Sequence, residues 1–261
     1  MSRRRGRERR GRPAPAPVEQ RTAYALAEVV ADPRRPSSRT LLLDGREAGQ
    51  VDLADPRRLT FGYMRRIADL IDAFRPPGTA LDVVHVGGGP CALARYVEAT
   101  RPRSRQVVWE IDAGVVALAR AHLGLRSSPR LRIKVGDAAE LIRAQPDRSA
   151  DLVIGDAFVG PDVPAALSTS AFVAEVRRVL RPAGVYALNV VDLPPFDAVR
   201  AHDELLRDAF AHVLRVAPPG VLRGRVPGNV VLLASALPLP VAALQRAATS
   251  AVPREQVLSR T

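Results

Sequence analysis

The chain has 261 residues, 47% of them hydrophobic, enough for one substantial α/β domain with a small appendage. No apolar run reaches the ~18 residues that span a bilayer, the N-terminus lacks the apolar segment of a secretory signal, and a lone cysteine, Cys91, excludes a disulfide framework or a thiolate zinc site. The formal net charge of +12 raises nucleic acid as a partner, but +6 of it sits in residues 1–12, where Arg3, Arg4, Arg5, Arg7, Arg9, Arg10 and Arg12 face a single acid, Glu8.

Lys134 is the one lysine of the chain, so the excess of arginine reads as a coding bias that yields a solvated tail and scattered surface cations. Contact with nucleic acid or anionic lipid through residues 1–12 is the alternative. His85, His122, His202 and His212 show no ligand spacing, and no metal is expected. The expected compartment is the cytoplasm.

In chain order, residues 1–20 combine charge repulsion with Pro13, Pro15 and Pro17 and are expected to be a disordered tail. Residues 21–60 form a small N-terminal β-hairpin region: two short apolar runs between Leu41 and Val51 flank an Asp44-Gly45 turn signal. Leu59, Tyr63, Ile67, Leu70, Ile71 and Phe74 recur at helical spacing until Pro76-Pro77-Gly78. Strands are predicted at Leu81–Val86, Gln106–Ile111, Leu131–Val135, Leu152–Ile154 and Val185–Val190. Helices are predicted between them at Leu93–Ala99, Val115–Leu123, Ala138–Ala144 and Ala171–Leu180. That alternation requires a mainly parallel sheet covered on both faces, a Rossmann-like, doubly wound α/β fold over residues 61–240. Asp203–Val213 reads as a further helix, Val230–Ser235 as a strand, and residues 241–261 as an Ala-rich helix around Ala242–Ala251 with a polar end.

The chemistry-bearing residues fall at strand ends. Val86-Gly87-Gly88-Gly89-Pro90-Cys91-Ala92 joins the first strand to a helix, where glycines admit a ligand close to the backbone and the helix start offers N–H groups. Glu110, 23 residues after Gly87, closes the second strand and can accept ribose hydroxyls, while Asp112 caps the next helix. Asp137, with Ala138 beside it, follows the third strand and can meet an adenine edge; a bare helix cap is the competing reading. Asp156 closes the fourth. Open α/β sheets bind ligands at such carboxyl ends, and a nicotinamide domain has no particular use for Asp137 and Asp156. Tyr24, Tyr63, Phe158 and Tyr186 either stack on adenine, line an acceptor site or fill core and surface. His85 reads as a core histidine, and Asn189, Asp192 and Asp197 are within reach of an acceptor pocket.

Taken in order, Leu43-Asp44-Gly45, Tyr63, Gly87-Gly88-Gly89, Glu110-Ile111-Asp112, Gly136-Asp137-Ala138, Asp156 and Leu180-Arg181-Pro182-Ala183-Gly184-Val185 resemble the spermidine synthase family, especially its bacterial spermidine synthase-like members, over roughly residues 38–240. The resemblance implies a donor site at Gly87, Gly88, Gly89, Glu110, Ile111, Asp137, Ala138 and Asp156. Glu110 would hold ribose, Asp137 with Ala138 the adenine, and Asp156 would take a proton from the attacking amine. It also implies S-adenosylmethionine or its decarboxylated form as donor, a small amine as acceptor, and a possible homodimer.

The sequence departs from that family at four places. Pro90 stands where the family has an Asp that orients the donor's ammonium, and Val159 where it has a second catalytic Asp, for which Asp162 is the substitute. Ala48 and Met64 replace two glutamines, though Gln50 lies nearby. Three readings follow: a spermidine synthase-like transferase with Asp156 and Asp162 as catalytic acids, an S-adenosylmethionine-dependent methyltransferase, and a nucleoside-binding protein without turnover whose basic tail contacts nucleic acid.

Overall fold

The computed structural model describes residues 15–259. Residues 1–14, which carry the arginine-rich run and its proposed nucleic-acid contact, and residues 260–261 lie outside the described residues. The expectation of disorder through residue 20 is corrected within them, because Val18–Arg21 is a strand, β1. It pairs antiparallel with β2 (Leu26–Ala31), which pairs with β3 (Ser38–Leu43), which pairs with β4 (Arg46–Asp52). The expected hairpin is therefore the second half of a four-stranded sheet. In β2, Ala27, Val29 and Ala31 are buried and alternate with half-buried neighbours, the period-two pattern of a strand with one face on a core.

The remaining elements are α1 (Gly62–Phe74), β5 (Asp82–Val86), α2 (Ala92–Thr100), β6 (Arg105–Glu110), α3 (Ala113–His122), β7 (Leu131–Val135), α4 (Ala138–Leu141), β8 (Ala150–Gly155), α5 (Ser170–Val179), β9 (Leu180–Asp192), α6 (Asp197–Ala209), β10 (His212–Ala217), α7 (Pro219–Leu222), β11 (Gly228–Ser235), α8 (Val241–Ser250) and β12 (Gln256–Ser259). The helix expected over Asp203–Val213 starts earlier and gives way to β10. The polar end expected after the last helix instead contributes β12 to the main sheet.

Eight strands lie in the order β12-β10-β11-β9-β8-β5-β6-β7. The five from β9 to β7 are mutually parallel, and β11, β10 and β12 extend the sheet antiparallel. This is the expected doubly wound, mainly parallel α/β sheet. One apolar layer packs α1, α2, α3 and α8 on one face, through residues such as Ile67, Val97, Leu118 and Leu244. The other packs α4 to α7 through Ala138, Val176, Leu206 and Val221.

Buried Arg101 donates to the carbonyls of Ile71, Asp72, Arg75 and Pro76, satisfying the free end of α1. That anchors α1 against the sheet with Tyr63 in its first turn. β5 and β8 are neighbours whose chains depart to opposite sides, so their carboxyl ends frame the crevice in which such sheets hold ligands.

Candidate active site

Beyond β5 the backbone turns through Gly87 at φ +89° and Gly89 at φ +46°, and Cys91 at φ +56° precedes α2. Gly87 is dictated by space as well as by φ. A Cβ there would stand 2.4 Å from the Asp156 carbonyl oxygen and 2.9 Å from Ala157 Cα, so the loop lies directly on the exit of β8.

Glu110, half-buried at the end of β6, reaches back to this loop. Its Oε2 accepts from the N–H groups of Gly88 (2.9 Å) and Gly89 (2.8 Å), and its Oε1 from that of Asp112 (3.1 Å). A carboxylate offers about four acceptor positions, so three are spent on backbone and one is left on Oε1. Asp112 caps α3 as expected, accepting from Gly114 N at 2.8 Å.

Asp156 follows β8 and is held by two side chains from other elements. Tyr63 Oη donates to its Oδ2 at 3.0 Å, and Asn189 Nδ2, from β9, donates to its Oδ1 at 2.9 Å. Asn189 Oδ1 in turn accepts from Asn229 Nδ2, from β11, at 3.0 Å. Burial pushes the Asp156 carboxyl up to about 6, against the two donors, which pull it down. Burial and the Asp156 charge push the Tyr63 phenol well up, so it remains a donor.

A small pocket of about 30 Å³ opens between Ala48, Met64, Gly87, Pro90 and Asp156. Its apolar end is closed by packing: a Cβ on Gly49 would fall 2.5 Å from Pro90 Cγ and 3.5 Å from Met64 Cε. His85 also lines it, hydrogen-bonded to Gln106 at 2.9 Å and pushed down to about 4 by burial, a neutral core histidine as expected.

The other candidates divide. Asp137 is exposed and caps α4 through Ala139 N at 2.8 Å, beside buried Ala138. Ile111 and Val135, on adjacent strand ends, leave apolar side chains 47% and 51% exposed at the same edge. The loop after Asp156 bends sharply, with Val159 and Asp162 exchanging backbone hydrogen bonds of 2.8 and 3.2 Å, but it leaves the Asp162 side chain exposed and not in contact with Asp156. Gln50 is turned away, donating to Ser38 Oγ at 2.7 Å. Asp192 caps α6 and Asp197 pairs with Arg200, so of the three acceptor-side candidates only Asn189 joins Asp156. Tyr186 is core, at 1% exposure.

Asn229 and Val135 escaped sequence reasoning. Val135 reads there as one more apolar strand residue, and Asn229 carries no local signal. Among the described residues, no group of three or more His, Cys, Asp or Glu is placed to hold a metal ion, and no helix is long and apolar enough to cross a membrane.

Comparison with known proteins places this geometry in a familiar setting. A methyltransferase domain family matches residues 84–188. The polyamine aminopropyltransferase of Escherichia fergusonii is 31% identical over 137 residues, 49% of this chain and 46% of that protein, so the match spans about half the length of these curated relatives. A structure described as a probable spermidine synthase from Corynebacterium glutamicum superposes with a TM-score of 0.87 at 28% identity, covering 94% of this chain and 91% of that one. Human methyltransferase-like protein 13, solved with SAH, superposes at 0.61 with 21% identity over 72% of this chain and 92% of that one, a likeness of fold. The chain is therefore similar to a probable spermidine synthase over most of its length and has a Rossmann-like, methyltransferase-type fold.

Proposed function

We propose that the protein is a transferase that binds an S-adenosyl sulfonium donor across the carboxyl ends of β5 to β8 and uses Asp156 to deprotonate an amine acceptor. The observation that carries this reading is the Asp156 carboxyl itself. It sits against the glycine loop, is held by Tyr63 and Asn189, and is tuned to about 6, where it is ionised at neutral pH yet basic enough to take a proton. In the reaction, the acceptor nitrogen attacks the carbon beside the sulfonium. The C–S bond breaks with its electron pair passing to sulfur, a neutral thioether leaves, and the nitrogen gives its proton to Asp156.

The nucleoside half of the donor is supported by fit. Of the loop glycines, Gly89 leaves room beside its backbone, where a Cβ would meet only the Ala48 carbonyl oxygen at 3.6 Å, and Glu110 keeps one acceptor position for a ribose hydroxyl. Ile111 and Val135 offer apolar surface to a flat base, while Asp137 and Ala138 supply its polar edge. Aminopropyl transfer from decarboxylated S-adenosylmethionine is the specific form, with a small amine as acceptor. Methyl transfer from intact S-adenosylmethionine is the second reading, favoured by the methyltransferase-family match; against it, Glu110 already occupies the Gly88 and Gly89 N–H groups that the donor's carboxylate would need.

Calorimetry with decarboxylated S-adenosylmethionine, the intact donor and methylthioadenosine tests the site, with Glu110→Ala as control. Release of methylthioadenosine in the presence of putrescine tests the reaction, and Asp156→Asn is expected to lower it by about 10²–10⁴-fold. Preference for the intact donor selects methyl transfer. Absence of binding to all three overturns the nucleoside site.

A further inference from the structure

Asn189 is 1% exposed, and its amide has two unlike ends. The end facing Asp156 can be an N–H donor, which stabilises the carboxylate, or a carbonyl oxygen, which repels it, and what the opposite end meets decides between them. In the β9–β11 ladder Asn189 stands opposite Val231, and Asn229 stands opposite Val191. Asn229 lies two positions before Val231, so by strand periodicity Asn189 and Asn229 lie diagonally on one face of the sheet, within reach of a side-chain contact. The contact is made: Asn229 Nδ2 donates to Asn189 Oδ1 at 3.0 Å, and Asn189 Nδ2 donates onward to Asp156 Oδ1 at 2.9 Å.

We infer that Asn229 is a positioning residue that acts through Asn189: by occupying the carbonyl end of the Asn189 amide, it commits the N–H end to Asp156. Asn229 makes no hydrogen bond to Asp156 itself, and its link to that carboxyl runs through Asn189. It is a specificity element for one orientation of one buried amide. The inference rests on the reading of Asp156 as the proton acceptor, and it adds the residue that fixes that acceptor's electrostatic surroundings.

The other titratable groups around Asp156 leave the effect readable. Tyr63, from α1, is held protonated by burial, His85, from β5, is pushed down to about 4, and the Cys91 thiol ahead of α2 is pushed up to about 12. Glu110 is engaged by three backbone N–H groups. None of Tyr63, His85 and Cys91 changes charge between pH 5 and 8, so the titration of Asp156 stands apart from theirs.

The test is a double-mutant cycle read by the pH midpoint of Asp156, followed by NMR of carboxyl-labelled aspartate in the ligand-free protein and assigned with Asp156→Asn. Asn189→Leu removes the donor and raises the midpoint. Asn229→Leu is expected to raise it by at least about half a unit, a roughly threefold change in proton affinity, and to have no effect once Asn189 is already leucine. Asn229→Ala, at a half-buried position, repeats the measurement with a smaller side chain should leucine disturb the ladder.

An unchanged midpoint in Asn229→Leu and Asn229→Ala overturns the inference, and so does an equal shift in both Asn189 backgrounds, which would mean that Asn229 acts without Asn189. The titration is measured without donor or acceptor. A protein that titrates as expected but transfers nothing would refute the proposed reaction and leave the positioning role intact.

Discussion

Asp156→Asn should change how stability depends on pH, and the sign and size follow from its surroundings. The ordinary carboxyl value of 3.8 is raised to about 6 in the folded protein, so the folded state binds the proton more tightly than the unfolded chain. Asp156 therefore contributes most stability when it is protonated in both states, below about pH 4, and that contribution is lost as pH rises through 6. A shift of about two units corresponds to about 3 kcal/mol, reduced to about 2 by solvent at this half-buried position. Asparagine keeps the shape without the charge.

Relative to the parent, Asp156→Asn should gain about 2 kcal/mol between pH 4 and pH 7, a gain of roughly 4–8 °C in Tm for a chain of this size. Urea unfolding of the two proteins at half-unit pH steps measures it, and the comparison cancels Asp69, which burial and neighbouring acids also push up to about 6. A stability difference that stays constant within about 0.5 kcal/mol from pH 4 to pH 7 would refute the argument that burial governs this carboxyl.

Gly87→Ala combines positive φ with a Cβ 2.4 Å from a carbonyl oxygen, and should cost about 2–5 kcal/mol in thermal unfolding and abolish nucleoside binding; unaltered binding would show that the loop has room to yield. Cys91, its thiol pushed up to about 12 by burial and then by the Glu110 charge, should resist iodoacetamide at pH 8 until the protein unfolds, and rapid labelling of the native chain would contradict that. Buried Arg66 of α1 pairs with buried Glu255, just before β12. Glu255→Ala should cost about 3–5 kcal/mol, most of it recovered when Arg66→Met is added, as denaturant midpoints would show; a loss in the double variant equal to the sum of the two single losses would mean that the pair is not coupled.

The parts of the molecule legible in its sequence are those whose signal is local. Each βα unit announces itself through an apolar run followed by helical spacing, and four strand ends could be ordered before any geometry was known. Asp112 as a cap and His85 as core were readable because a short acid before a helix and a histidine among valines each have one dominant physical use. β1 was not readable: Val-Glu-Gln-Arg has one partly buried residue and three exposed ones, so its structure comes from pairing with β2 and not from a hydrophobic pattern. Of β10, only His212 and Val213 fall inside the helix expected over Asp203–Val213 and the rest carries no expectation, because its strand character comes from antiparallel pairing with β11. Asn229 lies 40 residues from Asn189, and only the register of β9 on β11 brings the two amides together.

The site has two halves that are built differently. The half proposed to hold the nucleoside is held by backbone: Glu110 is pinned by three N–H groups, and Gly87 packs against the chain leaving β8, so its shape is set by the crossing of strand ends. The half where a donor's tail would extend is lined by Ala48, Met64 and Pro90, and Gly49 packs against the Pro90 ring where a polar side chain would otherwise have room. An apolar wall offers a charged tail no partner, so among the described residues Asp156 is the one carboxylate lining this pocket available to a cation there. A carboxylate that both faces a cationic donor and accepts a proton must keep its charge through the approach and lose it at the transfer. Hydrogen bonds from Tyr63 and Asn189 favour the ionised form, burial favours the protonated one, and their near balance at about 6 makes both states accessible at neutral pH.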